Sequence, residues 1–151
     1  MTSRFERFSA SVSSLYHCIQ KIERVEMAKY GLKGPHAQCL LAMSRYPQGI
    51  TASRLCDLCD KDKAAISRTV AELEREGMVI RDLKDGNRYR AALKLTEQGE
   101  SAARQVEERV KIVVEKAGTG MTEAQREVFY NVMDLIAGHL QTICESGLEN
   151  A

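Results

Sequence analysis

The sequence predicts a mainly α fold (α+β): long helices at both ends of the chain and, between them, short helices followed by a small β ribbon. Three observations carry this. Residues 4–30 contain neither Gly nor Pro, and Phe5, Phe8, Val12, Leu15, Ile19 and Ile22 recur at alternating spacings of three and four, the seam of a helix packed along another. A second stripe runs through Phe129, Val132, Ile136, Leu140 and Ile143 near the other end. Between them, Asp85-Gly86 joins the apolar run Met78-Val79-Ile80 to a strictly alternating stretch, as a tight hairpin turn would.

In chain order, the first helix carries Cys18 and Val25 as a second row and yields at Gly31 and Gly34-Pro35. Pro35 suits the first position of a new helix, which runs to about Tyr46 with Cys39, Leu40 and Met43 inward. Pro47-Gln48-Gly49 turns the chain. Thr51 can cap a short helix in which Leu55, Leu58 and Cys59 share one buried face. Asp62 is placed to cap the next helix, which buries Ile66, Val70 and Leu73 and stops at Gly77, where glycine can take the left-handed conformation. After the ribbon, Thr96 can cap a long helix with Val106, Val110, Val113 and Ala117 on one side, ended by Gly118-Thr119-Gly120. Thr122 and Gln125 have capping-box spacing at the start of the last helix.

The outer face of the helix after Asp62 is asymmetric. Its leading half presents Lys63, Ala64, Ser67 and Arg68; its trailing half presents Glu72, Glu74 and Glu76. Polyanion phosphates favour the basic end, reinforced by the partial positive charge of a helix N-terminus. Ala64 permits close approach, and Ser67 and Arg68 can donate to base edges or phosphates. The ribbon then adds five basic residues (Arg81, Lys84, Arg88, Arg90, Lys94) against two acidic ones (Asp82, Asp85) between Gly77 and Leu95. On the return strand Tyr89, Ala91, Leu93 and Leu95 take one face, and Arg88, Arg90, Ala92 and Lys94 the other. A basic hairpin directly after a groove-sized helix suits the minor groove flanking the major-groove site. Two helices followed by such a ribbon form a winged helix-turn-helix, assigned to residues 35–97. Its DNA contacts are assigned to Thr51, Ser53, Lys63, Ala64, Ser67, Arg68, Lys84, Asn87, Arg88 and Arg90.

Length and charge bound this reading. The 151 residues suit one domain with a core of its own. A net charge of +1 means that affinity for a polyanion must come from local placement, not from overall charge. There is no run of eighteen apolar residues and no signal-like apolar core near the N-terminus, so a cytoplasmic chain with no membrane partner is expected. Five cysteines without paired spacing fit reduced thiols. The terminal seams, residues 1–30 and 98–151, exceed what the small central unit can cover, which points to pairing with the same helices of a second chain. A twofold dimer would also set two reading helices about one duplex turn, roughly 34 Å, apart.

The order of parts resembles the MarR family of bacterial regulators over nearly the whole chain, most specifically in DKAAISRTVAELEREGMVIR and in LTEQG after the ribbon. The resemblance implies a homodimeric transcription regulator that binds a pseudo-palindromic operator in double-stranded DNA, more often a repressor than an activator, tuned by a small ligand or an oxidant. One departure stands out. Many members carry an Asp-any-Arg triplet at the wing, whereas here Gly86 and Asn87 separate Asp85 from Arg88. Arg88 is favoured over Arg90 for the minor groove because it lies nearer the turn.

For control, the resemblance suggests an effector pocket between the dimerising helices and the reading unit, assigned to Tyr16, Tyr30, His36, Cys39, Met43 and Tyr46, whose chemistry suits an aromatic acid or phenol. Thiol-based redox sensing through Cys18 is the second route. Cys56 and Cys59 form a C-x-x-C outside any βαβ pattern and read as small apolar fillers. Metal sensing is third: His36 and Cys39 share a helix face that His17, Cys18 or His139 could complete. No cofactor or resident metal is expected. No Gly-rich phosphate loop, His-Glu-any-any-His or Gly-any-Ser-any-Gly element points to an enzyme, a thiol peroxidase at Cys18 being the least implausible one. A winged-helix protein-interaction module is the remaining alternative, although it would need neither a basic helix tip nor an arginine wing.

Overall fold

The computed structural model describes residues 3–83 and 91–148. Six helices and two strands follow in the order α1 (Arg4–Ala28), α2 (Gly34–Ser44), α3 (Ala52–Cys59), α4 (Lys63–Arg75), β1 (Val79–Asp82), β2 (Ala92–Leu95), α5 (Glu97–Ala117) and α6 (Glu123–Ser146). The packing divides the chain into two compact units, residues 1–110 and 111–151. Among the described residues, no helix is long and apolar enough to cross a membrane.

The helix starts follow local chemistry. Ser3 and Glu6 close a reciprocal capping box on α1, and Thr122 and Gln125 close another on α6. The Thr51 side chain accepts from the Arg54 N–H at 3.2 Å, and Asp62 accepts from the Ala65 N–H at 2.7 Å. These caps satisfy backbone donors that a first helical turn leaves without partners. The second helix begins at Gly34, one residue ahead of the expected Pro35.

The core of the first unit is built by α2, α3, α4, β2 and the leading half of α5. Leu40, Met43, Leu55, Val70, Leu73, Leu93 and Val106 are fully buried in it. Leu58 is a correction, because it is exposed. The inner stripe of α3 is Leu55 with Ala52, Cys56 and Cys59 packed beside the core, a set spaced i, i+3, i+4, i+7. An eight-residue helix offers two nearly equivalent apolar stripes, and packing against α2 and α4 selects this one.

Strands β1 and β2 pair antiparallel with Val79 opposite Leu95 and Asp82 opposite Ala92. The first strand starts one residue later than expected, after Met78. Ile50 adds a bridge to Leu93 on the other side, with N–H to O distances of 3.0 and 2.8 Å. Alternation holds on the described part of the return strand: Ala91 and Leu93 are buried, and Ala92 and Lys94 are only partly so. The Asp85-Gly86 turn and Tyr89 lie outside the described residues.

The end of the ribbon is pinned to α5 by Thr96. Its hydroxyl donates to the Gly77 carbonyl at 2.6 Å and accepts from the Gly99 N–H at 3.1 Å, while its own N–H reaches the Met78 carbonyl at 3.0 Å. A Cβ at Gly99 would collide with that Met78 carbonyl, so only glycine lets the first turn of α5 sit this close. The LTEQG segment therefore has a structural reason for both its Thr and its Gly.

In the second unit α6 has no buried residue, and the Arg126 guanidinium lies against the Gly118 carbonyl at 3.5 Å.

Candidate nucleic-acid interface

The leading half of α4 is an exposed, cationic helix start. Asp60 closes α3 in the left-handed conformation (φ 49°), two residues before the Asp62 cap. Ile66, Val70 and Leu73 point into the core and thereby fix the opposite face, on which Lys63, Ala64, Ser67 and Arg68 are all exposed. Arg68 has no ion-pair partner among the described residues. Four predicted contacts thus share the solvent side of one helix, where the helix dipole adds to their charge.

What holds this helix is the finding that periodicity did not reveal. Glu72 and Glu74, expected on the outer face, are turned toward the protein as anchors. The Lys33 ammonium donates to Glu72 Oε1 at 2.9 Å, and His36 Nε2 lies 2.7 Å from Glu72 Oε2. Nδ1 of His36 accepts the Lys33 backbone N–H at 3.3 Å, which leaves the proton on Nε2. A neutral imidazole therefore suffices to bind the carboxylate, and His36 is only 4% exposed. The hydrogen bonds from Lys33 and then His36 hold the Glu72 carboxyl down at about 2. Two residues on, Glu74 accepts from Arg81 Nε at 2.9 Å. Only Glu76 is left as an exposed acidic residue at the trailing end.

The same pairing changes the reading of the ribbon. Arg81 is bound to Glu74 and Lys94 to Asp82 at 2.9 Å, so these two cations brace the fold. Lys84, Asn87, Arg88 and Arg90 lie outside the described residues. Thr51 and Ser53 are exposed at the start of α3, with the Thr51 hydroxyl engaged in its cap. Arg54, exposed in the same turn, is a cation that the sequence reading did not single out. Its charge was visible, but its exposure depended on which face Leu55 buries.

The six residues assigned to an effector pocket are spread out. Cys39 and Met43 are core side chains, and His36 is bound to Glu72. Tyr30 accepts from Arg109 Nε at 2.8 Å, Tyr46 packs beside the core, and Tyr16 is exposed on α1 and hydrogen-bonded to Gln20. Cys18 is exposed on the same helix. Among the described residues no group of three His, Cys, Asp or Glu side chains could hold a metal ion.

Two adjoining hollows do exist beside the reading unit. A groove of about 480 Å³ runs between α1 and α2, lined by Gln20, Glu23, Arg24, Lys33, Gln38 and Lys61. Burial raises the Glu23 carboxyl there, opposed by a hydrogen bond from Gln38 and by the Lys61 charge. A smaller cavity of about 210 Å³ lies behind α4, where Cys39, Cys59, Lys61, Arg68 and Glu72 contribute to its wall.

Residues 30–88 match the sequence model of the MarR family. No curated protein matches the chain. Among solved structures, a MarR transcriptional regulator from Methanosarcina mazei Go1 is 22% identical, with 91% of this chain and 92% of that one covered and a TM-score of 0.81. MepR from S. aureus, in complex with DNA, is 14% identical over 91% of this chain and 99% of its own, with a TM-score of 0.79. CouR from Rhodococcus jostii RHA1, bound to p-coumaroyl-CoA, is 18% identical over 95% of each chain, with a TM-score of 0.75. At these identities the likeness is one of fold.

Proposed function

We propose, because residues 30–88 match the sequence model of the MarR family and the chain as a whole carries the fold of such regulators, that this protein is a homodimeric, sequence-specific regulator of transcription that reads double-stranded DNA with α4. The observation that carries the reading is the exposed set Lys63, Ala64, Ser67 and Arg68 on the leading half of a helix anchored from behind through Glu72 and Glu74. A helix that enters the major groove by its first turns needs that polarity and a rigid seat. MepR, with the same fold, is bound to DNA in its structure.

The dimer is supported by the apolar seams of α1 and α6. Phe8, Val12, Leu15 and Ile19 on α1, and Phe129, Val132 and Leu140 on α6, are exposed on the single chain. Continuous apolar seams of this extent favour a twofold partner, which would present two reading helices to two half-sites. Repression with release by a small acid is the proposed mode of control, and CouR is the analogy for a ligand. The groove between α1 and α2 offers Arg24 and Lys61 to a carboxylate, and its volume falls in the range of small-molecule sites.

The test is operator binding. On the DNA flanking its own gene, Arg68→Ala is expected to lower affinity by about 1–3 kcal/mol and to relax base preference. A steep fall of affinity with salt is expected for the native protein. Unchanged affinity and base preference in the variant would remove α4 from the groove.

A further inference from the structure

We propose that a third cleft, on the first unit, binds an α-amino acid with an apolar side chain. It measures about 370 Å³ and lies between the end of α2, the end of β2 and the first half of α5. It shares no lining residue with the groove between α1 and α2 or with the cavity behind α4. Its volume is that of a small-molecule site.

The floor of the cleft is apolar and its rim is charged. Met43 and Ala103, each 2% exposed, are core side chains, and Leu95 beside them is half-buried. The floor is therefore the outer face of the core itself. On the rim stand Arg45, the residue that ends α2, and Glu100, Arg104 and Glu107 of α5, all four exposed. The three on α5 fall at i, i+4 and i+7, a spacing at which opposite charges attract one another weakly. Elsewhere such neighbours do meet: Lys29 and Glu26 at 2.6 Å, Arg126 and Glu123 at 3.8 Å. Among the described residues, none of the four rim side chains makes an ion pair or a hydrogen bond. A ligand has no internal bond to break before it engages them.

The balance of the rim selects the class of ligand. Two guanidinium groups and two carboxylates carry no net charge together. A simple acid drawn to Arg45 and Arg104 would be repelled by Glu100 and Glu107, and a simple amine would meet the reverse. A zwitterion satisfies both signs at once. Its carboxylate accepts N–H bonds from Arg45 and Arg104, whose planar forks suit that group. Its ammonium donates to Glu100 and Glu107, and its side chain covers Met43, Leu95 and Ala103, where removal of apolar surface from water adds to affinity.

The test is calorimetric titration of the full chain, without DNA, with L-leucine and with L-phenylalanine. Saturable binding of at least one is expected. The matching acids without the amine (isocaproate, hydrocinnamate) and amines without the carboxylate (isoamylamine, phenethylamine) should bind about tenfold more weakly or less, since each lacks one set of charge-assisted hydrogen bonds. Arg104→Ala and Glu107→Gln alter exposed side chains and are expected to weaken binding by about tenfold with helical content unchanged. Arg24→Ala, in the groove between α1 and α2, is expected to leave it as it is. Should a variant not fold, the ligand series on the native chain decides. No saturable binding of either amino acid, equal affinity for the acids without the amine, or binding lost in Arg24→Ala and kept in Arg104→Ala would overturn the proposal. The measurement involves no DNA, so it stands or falls separately from the regulator reading.

Discussion

The reading unit and the terminal helices carry the same kind of apolar periodicity and meet opposite fates. Ile66, Val70 and Leu73 of α4 are buried to within 2% of complete, whereas Phe5 of α1 is 76% exposed and Phe129 of α6 43%. The same rule of spacing therefore marks a face that needs covering without saying what covers it. In α4 the chain's own α2 and α3 do so. The seams of α1 and α6 remain open on the single chain.

The comparison can be broken first at its strongest side. Leu73→Ala removes a side chain that is 0% exposed and is expected to cost about 2–5 kcal/mol, read as a lowered midpoint in urea unfolding. The opposite class of change is Ile19→Asp, in an exposed seam. It is expected to leave the helical content intact and to shift the protein from dimer to monomer in sedimentation equilibrium; a variant that stays dimeric would detach the seam from assembly. The mildest change concerns the anchor that ties α4 to the start of α2. Because the Glu72 carboxyl is depressed from 4.5 to about 2, its contribution to stability is complete above the ordinary value and is lost as pH falls through that interval. Native protein should lose melting temperature from about pH 4.5 down to 2 more steeply than Glu72→Gln does. Equal slopes would show that the Lys33 and His36 bonds do not stabilise the fold.

Much of the candidate interface is legible in the sequence because local rules dominate there. Thr51, Asp62 and Thr122 cap helices for reasons contained within four residues, and the burial of Ile66, Val70 and Leu73 dictates that Ala64, Ser67 and Arg68 face outward. Leu58 was misjudged because an eight-residue helix offers two nearly equivalent apolar stripes, and only packing against α2 and α4 chooses between them. The anchors were hidden for a different reason. Glu72 meets Lys33 and His36 across separations of 39 and 36 residues, and nothing in a helical charge pattern distinguishes a solvated Glu from one turned inward.

The amino-acid sequence by itself determined the order of helices and ribbon, the cationic start of α4 and the apolar seams of the terminal helices, since these follow from spacing, capping and local charge. Only the tertiary structure decided that His36 and two glutamates seat α4 and that Arg81 and Lys94 are bound within the fold. Contacts between elements depend on how the elements cross in space, and that crossing is set by the whole core at once.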